Sequence, residues 1–141
     1  MYERILVALD HTAADQALIP EISKLARVFK AQLILVHVAD GWVARNYDQM
    51  TLSESEEMKD DRNYLEETAQ TLQAQGFKIS TQLALGDPPK EILKIARDQG
   101  CNLIAMTTHG HRLIGDILFG STIEEVRHST DIPLFIVHAR K

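Results

Sequence analysis

The stretch Ile5-Leu6-Val7-Ala8-Leu9-Asp10 is a continuous apolar run that ends in a carboxylate. Apolar side chains on both faces are typical of a strand buried in a parallel sheet. Further apolar runs recur along the chain, and segments with the helical period separate them. Strands are predicted at residues 5–9, 33–38, 77–85, 101–106 and 133–137. This alternation predicts an α/β fold with a mostly parallel sheet that helices cover on both faces.

Local signals predict where the helices begin and end. Ser53 and Glu56 match a capping box, so a helix is expected to start at Ser53. Gly76 follows the last apolar position of that helix and is expected to end it. Asp87 is expected to cap the next helix, with a proline at its first position. Residues 39–52, which include an aromatic-containing stretch, show no clean period and are expected to form a long connection.

Length and composition limit the classes of protein to consider. A chain of 141 residues has the usual size of one domain, here residues 1–141. The net charge of −5 argues against a non-specific nucleic-acid binder and against docking on an anionic membrane. No apolar stretch is long enough to span a bilayer, and the N-terminal residues do not resemble a signal peptide. Cys101 is the single cysteine, so no internal disulfide forms and a cytoplasmic location is expected.

A glycine-rich turn between Thr107 and Thr122 is the strongest candidate for a ligand site. It contains Thr107-Thr108-His109-Gly110, then Gly115, then Gly120-Ser121-Thr122. Glycines let the backbone approach a ligand closely, and the start of a helix offers free N–H groups to an anion. The pattern therefore indicates a phosphate site. The alternative is that the glycines only turn the chain and that Ser121 is only a helix cap.

Together these segments resemble the universal stress protein family along essentially the whole chain. The resemblance rests on Ile5–Asp10, Leu35–Val38, Gly86–Pro88, His109-Gly110 and Gly120-Ser121. The most diagnostic part is the family pattern of a glycine, two residues, a glycine, nine residues, a glycine and a serine or threonine. Thr107 stands where the family has the first of these glycines.

The resemblance implies a doubly wound, Rossmann-like sheet of the adenine nucleotide alpha hydrolase type, with strand order 3-2-1-4-5. It also implies an adenine nucleotide, ATP or AMP, possibly with Mg²⁺ that Asp10 holds through the nucleotide. Asp10 would lie near the ribose or phosphates and the backbone at Val38 near the adenine. Thr107 would either crowd the nucleotide or offer it a hydroxyl. The implied nucleotide-binding residues are Leu9, Asp10, Val38, Thr107, His109, Gly110, Gly120, Ser121 and Thr122.

The first functional hypothesis is an adenine-nucleotide-binding stress-response sensor or regulator with an unknown regulatory protein partner. The resemblance implies a homodimer that pairs through the last strand, Pro133–Val137, and an exposed apolar edge strand favours such pairing. A nucleotide-free interaction module of the same fold is the alternative. A slow Mg²⁺-dependent ATP hydrolase or phosphotransferase is the second alternative. The chain has neither a P-loop lysine nor a Gly-x-Ser-x-Gly elbow, which favours a binding protein over an enzyme.

The histidines leave one further alternative open. If the first and fourth strands are neighbours, His11, His109 and His111 would be able to converge on a metal ion. Otherwise His109 lines the nucleotide site, where it is the candidate general base for hydrolysis, and the other two are solvated. His37 lies in a buried strand and is expected to be a hydrogen-bonded core residue.

Overall fold

The computed structural model describes residues 1–39, 52–108 and 122–139. Strands and helices alternate along the chain, as the apolar pattern predicts. The strands are β1 (Arg4–Ala8), β2 (Gln32–Ala39), β3 (Lys78–Leu85), β4 (Leu103–Thr108) and β5 (Leu134–His138). The helices are α1 (Asp15–Phe29), α2 (Leu52–Ala74), α3 (Pro88–Asp98) and α4 (residues 122–129).

All five strands form one parallel sheet in the order β3-β2-β1-β4-β5. β1 lies at the centre, with Val7 in register with Leu35 of β2 and with Ala105 of β4. The fold class and the strand order 3-2-1-4-5 are thereby confirmed. The order reverses between β1 and β4, which is where an open sheet of this class leaves a crevice at its carboxyl edge.

Alternate residues of β1 face two separate core layers, because successive side chains of a strand point to opposite faces. Ile5 and Val7 pack with α1 and α2, and Leu6 packs with α3 and α4. The first layer includes Leu18, Ile22, Ala26, Leu65, Ala69 and Leu72, and the second includes Ile92, Leu93, Ile95, Ala96 and Val126. Burying one such leucine or isoleucine side chain contributes about 1.5–3 kcal/mol, so the two layers hold the helices on the sheet.

The helix boundaries differ slightly from the sequence prediction. α2 begins at Leu52, one residue before the predicted Ser53, and ends ahead of Gly76, whose φ of +96° suits glycine. Asp87 takes the extended cap position, with φ −82° and ψ 118°, but its side chain makes no capping hydrogen bond. The prediction that Asp87 is the N-cap residue of α3, with Pro88 at the first helical position, is therefore confirmed, although the cap forms without a side-chain hydrogen bond.

The fourth and fifth strands lie further along the chain than predicted. Cys101 is not a strand residue, because its N–H donates to the carbonyl of Ala96 and closes the end of α3. β4 continues through Thr107 and Thr108, which were expected to begin the glycine-rich turn. Thr107 pairs with Val137 of β5, so the continuing ladder keeps both threonines in the sheet. None of the helices in the described ranges combines the length and the apolar character needed to cross a membrane.

Candidate functional site

The carboxyl ends of β1 and β4 bring two predicted site residues into contact. Asp10 follows β1 by two residues, and Thr107 is the last but one residue of β4. The Thr107 hydroxyl donates to the Asp10 carboxyl, with 3.3 Å between Oγ1 and Oδ2. Leu9, also predicted, is buried beside them and donates its N–H to the carbonyl of Val36 in β2. The contact lies at the reversal of strand order, the usual position of a ligand crevice.

A second carboxylate, Asp15 in the first turn of α1, organises the loop after β1. Its side chain is completely buried and accepts the backbone N–H groups of Asp10 and His11 at 2.8 and 2.9 Å. It also accepts the hydroxyl of Tyr64 in α2 at 2.5 Å. Three donors on one carboxylate offset the free energy that burying a charge costs. Asp15 thus joins the loop to two helices.

His11 adopts a left-handed backbone conformation with φ +61°, which is uncommon for a residue other than glycine. Its ring stacks on Tyr64, with 4.1 Å between centroids and 18° between planes. Its Nδ1 lies 2.6 Å from Oδ1 of Asp61, one turn before Tyr64 in α2. The sequence leaves His11 as either a solvated residue or a metal ligand, and in the structure the residue is exposed while its ring packs against α2.

No group of three or more histidine, cysteine, aspartate or glutamate side chains suited to a metal ion occurs within residues 1–39, 58–108 and 122–139. His109 and His111, the other two members of the hypothetical metal site, lie outside the described residues.

The neighbouring strand β2 contributes His37 and Val38. The Nδ1–H of His37 donates to the carbonyl of Leu9 at 2.9 Å, which confirms the predicted hydrogen bond, but His37 is half-buried and does not belong to the core. Its Nε2 lies 3.5 Å from Oδ2 of Asp61, so that carboxylate stands between two imidazole rings. Val38, the predicted adenine contact, is half-buried near the end of β2, on the face that carries α3 and α4.

The electrostatics of the site centre on Asp10. Burial and the nearby charge of Asp15 raise the pKa of Asp10 to about 7, although the Thr107 hydrogen bond acts in the opposite direction. Burial and the Asp15 carboxylate also raise the pKa of Tyr64 above its ordinary value. Asp10 therefore exchanges its proton near neutral pH. Such a group suits a hydroxyl or a cation better than a bare phosphate oxygen, which two neighbouring carboxyl groups repel.

The remaining predicted site residues belong to the glycine-rich turn. Thr122 is the first described residue of α4 and is buried. The other four, His109, Gly110, Gly120 and Ser121, lie outside the described residues. The aromatic residues Trp42 and Tyr47 of the long connection also lie outside them, so no contact between that connection and the site is described.

Sequence reasoning missed three residues of the site, Asp15, Asp61 and Tyr64. Two of them carried a signal. Asp15 stands three residues before Leu18 and so falls on the apolar stripe of α1. Asp61 stands four residues before Leu65, on the inward stripe of α2. A carboxylate on an apolar stripe requires buried partners, so its position in the helical period is enough to mark it as a candidate site residue.

A separate groove of about 650 Å³ runs between α1 and the edge strand β5. Among the described strands, β5 pairs with β4 alone, and its Ile136 is 40% exposed. The lining residues are Ala13, Gln16, Ala17, Glu21, Phe135, Ile136, Val137 and His138. An unpaired strand edge beside exposed apolar surface is a place where another chain can add.

Comparison with known proteins gives a consistent result over the whole length. The universal stress protein family matches residues 1–138. A universal stress protein of Methanocaldococcus jannaschii is 27% identical over 97% of this chain and 95% of its own length. Another, from Bacillus subtilis, is 24% identical over 97% of this chain and 99% of its own length.

Solved structures resemble the chain in the same way. The structure of the Methanocaldococcus protein superposes with a TM-score of 0.76 at 28% identity, over 100% of this chain and 99% of that one. A universal stress protein from Archaeoglobus fulgidus, solved in complex with dAMP, superposes with a TM-score of 0.71 at 17% identity, over 96% of this chain and 98% of that one. A universal stress protein solved in complex with cAMP superposes with a TM-score of 0.70 at 19% identity, over 99% of this chain and 98% of that one. At these identities the last two show a shared fold.

Proposed function

Because the chain belongs to the universal stress protein family, we propose that it binds an adenine nucleotide, ATP or AMP, and acts in the stress response as a sensor or regulator. The observation that carries the proposal is the position of Asp10, which follows β1 at the carboxyl edge of the sheet, where the strand order reverses. Solved relatives of the same fold hold dAMP and cAMP, which supports a nucleotide as the ligand class.

In this proposal each part of the nucleotide has its own place. The adenine lies against the backbone at Val38, and the ribose hydroxyls lie at Asp10. The phosphates lie at the glycine-rich turn before Thr122, where the start of α4 offers backbone N–H groups. The raised pKa of Asp10 supports this order, because a carboxyl that is partly protonated at neutral pH can accept from or donate to a hydroxyl. If Mg²⁺ accompanies ATP, Asp10 and phosphate oxygens are its ligands.

Thr107 replaces the first glycine of the family motif, and its contact supports two different outcomes. Its side chain is buried and its hydroxyl points to Asp10, so it forms part of the sheet below the site. This placement favours a nucleotide site with an added hydroxyl. The same contact also favours the nucleotide-free interaction module, because Thr107 already occupies one oxygen of the carboxyl that would meet the ribose.

The proposal includes a homodimer in the cytoplasm. β5 offers an unpaired edge within the described sheet, and Ile136 and the groove beside it leave apolar surface exposed. Pairing of β5 with its copy about a two-fold axis would give the backbone groups of this edge hydrogen-bond partners and would cover the apolar surface. A regulatory protein partner would then respond to the nucleotide state of the dimer.

The test begins with the purified protein. Denaturing it and analysing the supernatant by absorbance and mass spectrometry should reveal an adenine nucleotide. Calorimetric titration with AMP and with Mg-ATP should give saturable heat, and Asp10→Ala should weaken the affinity while Asp98→Ala, which removes an exposed carboxylate of α3, should not. If no nucleotide co-purifies and neither titration gives heat, the proposal is wrong and the nucleotide-free module takes its place.

A further inference from the structure

We propose that Asp61 and Tyr64 are positioning residues for the ligand site, and that they act through His11 to set the backbone that carries Asp10. The inference rests on the proposed function, since it assumes that Asp10 meets a nucleotide. It assigns a role to the face of α2 that carries Asp61 and Tyr64. Through this face the helix would control the affinity of the site by way of the loop after β1.

The first support is the conformation of residue 11. His11 has a φ of +61°, a region in which a residue with a Cβ is disfavoured by about 1 kcal/mol or more. A non-glycine residue stays there only when its surroundings hold it. The turn at His11 sets the direction in which the chain leaves β1, and Asp10 is its immediate neighbour. Whatever holds His11 therefore also sets the position of the Asp10 carboxyl.

The second support is that two side chains of α2 contact His11. Oδ1 of Asp61 lies 2.6 Å from Nδ1 of His11, and the Tyr64 ring stacks on the His11 ring with 4.1 Å between their centroids. Tyr64 also donates to Asp15, which in turn accepts the N–H groups of Asp10 and His11. The side chain and the backbone of His11 are thus both tied to a single turn of α2.

The third support is the burial of the Asp61 side chain. The Asp61 side chain is 17% exposed, and its two oxygens face His11 and His37. Its neighbour Asp60 is exposed on the same helix. A largely desolvated carboxylate between two imidazole rings restricts their orientation more than a solvated one does. His37 is itself held in place, because its Nδ1–H donates to the carbonyl of Leu9.

The test is a double-mutant cycle on AMP affinity, measured by calorimetry on the full chain. Asp61→Asn removes the charge that orients the His11 ring, and Asp60→Asn makes the same change of charge on the adjacent, exposed residue. His11→Gly removes the ring and allows φ +61° without strain. The Asp61→Asn variant should bind AMP about tenfold more weakly, as expected for one charge-assisted hydrogen bond, and Asp60→Asn should bind as the unsubstituted protein does.

The decisive comparison is made in the His11→Gly background. There, Asp61→Asn should weaken AMP binding by less than about twofold, because the residue through which it acts is gone. Amide hydrogen exchange at Asp10 and His11 should rise in Asp61→Asn and stay unchanged in Asp60→Asn. These amide readings follow the loop itself and need no ligand.

The outcomes separate the inference from the proposed function. If the unsubstituted protein binds AMP but Asp61→Asn has no effect, or has the same effect with and without His11, the positioning role is wrong and the nucleotide site stands. If the unsubstituted protein binds neither AMP nor Mg-ATP, the proposed function is wrong and the inference falls with it.

Discussion

The hydroxyl of Thr107 donates to the carboxyl of Asp10 across the boundary between β4 and β1, with 3.3 Å between the two oxygens. The two residues are 97 positions apart in the chain and meet because their strands are neighbours in the sheet. This contact opposes the burial and the Asp15 charge that raise the pKa of Asp10 to about 7. The protonation of the site thus depends on a residue from each side of the strand reversal.

Thr107→Val should raise the pKa of Asp10 further. The substitution keeps the shape of the side chain and removes the hydrogen bond that favours the charged carboxylate. A carboxyl-detected NMR titration of Asp10 measures the change. Thr108→Val is the matched control, because the Thr108 hydroxyl faces His138 instead, at 3.3 Å. An unchanged or lower pKa of Asp10 in Thr107→Val would contradict the assigned contact.

Asp10→Asn should change how stability depends on pH. The pKa of Asp10 rises from 3.8 to about 7 on folding, so folding favours the protonated form. The stability that this provides is complete below about pH 4 and is lost as the pH rises towards 7. The asparagine variant does not undergo this loss. The difference in free energy of unfolding between the variant and the unsubstituted protein should therefore shift in favour of the variant by up to about 4 kcal/mol as the pH rises over that interval.

Denaturant unfolding at several pH values between about 4 and 8 measures this difference. Asp98→Asn, at the exposed end of α3, serves as the control and should show no comparable trend. A difference between Asp10→Asn and the unsubstituted protein that stays constant over that whole interval would mean that the Asp10 carboxyl is not destabilised in its charged form.

Tyr64→Phe should destabilise the fold by about 1.5–3 kcal/mol, the range for a buried hydrogen bond to a charged group. The variant removes the hydroxyl that Asp15 accepts at 2.5 Å and keeps the ring that stacks on His11. Urea unfolding measures the loss. Tyr2→Phe, whose ring meets Phe29 edge-on at 5.3 Å, is the control and should change stability by less than about 0.5 kcal/mol. Equal effects in the two variants would argue against a special role for the Asp15 contact.

Ile136→Lys should convert the proposed dimer into a monomer. The substitution places a charge on the edge strand, where pairing with a second copy would bury it. Light scattering coupled to size exclusion reports the mass of each species. Val28→Lys provides the comparison, because Val28 is 75% exposed on α1 and does not line the groove. A dimer that persists in Ile136→Lys would place the interface elsewhere.

The fold could be predicted from the sequence because its signals are local and repeated. The apolar run at Ile5–Leu9 predicts a strand buried on both faces, and the helical spacing of Leu65, Ala69 and Leu72 predicts the inward face of α2. Strand boundaries were less predictable, since Thr107 and Thr108 have no apolar side chain to mark them. They belong to β4 because the ladder with β5 continues past the apolar segment.

The site was predicted only in part. The sequence marks Asp10 by the end of a strand and Thr107 by a motif, but neither signal predicts that the two side chains touch. Asp61 was not identified, because a single charged residue in a helix is usually solvated and its neighbour Asp60 carries the same charge. The difference between them arises from which side of α2 meets His11 and His37.

By itself the sequence determined that buried strands alternate with amphipathic helices along the chain. It also determined the family, because apolar periodicity and motif spacing are properties of neighbouring residues. Only the tertiary structure decided which polar groups share one site, because parallel strands align their carboxyl ends whatever their separation in the chain. That alignment places Asp10, Asp15 and Thr107 within one hydrogen-bonded network and raises the pKa of Asp10, a property no single stretch of the chain contains.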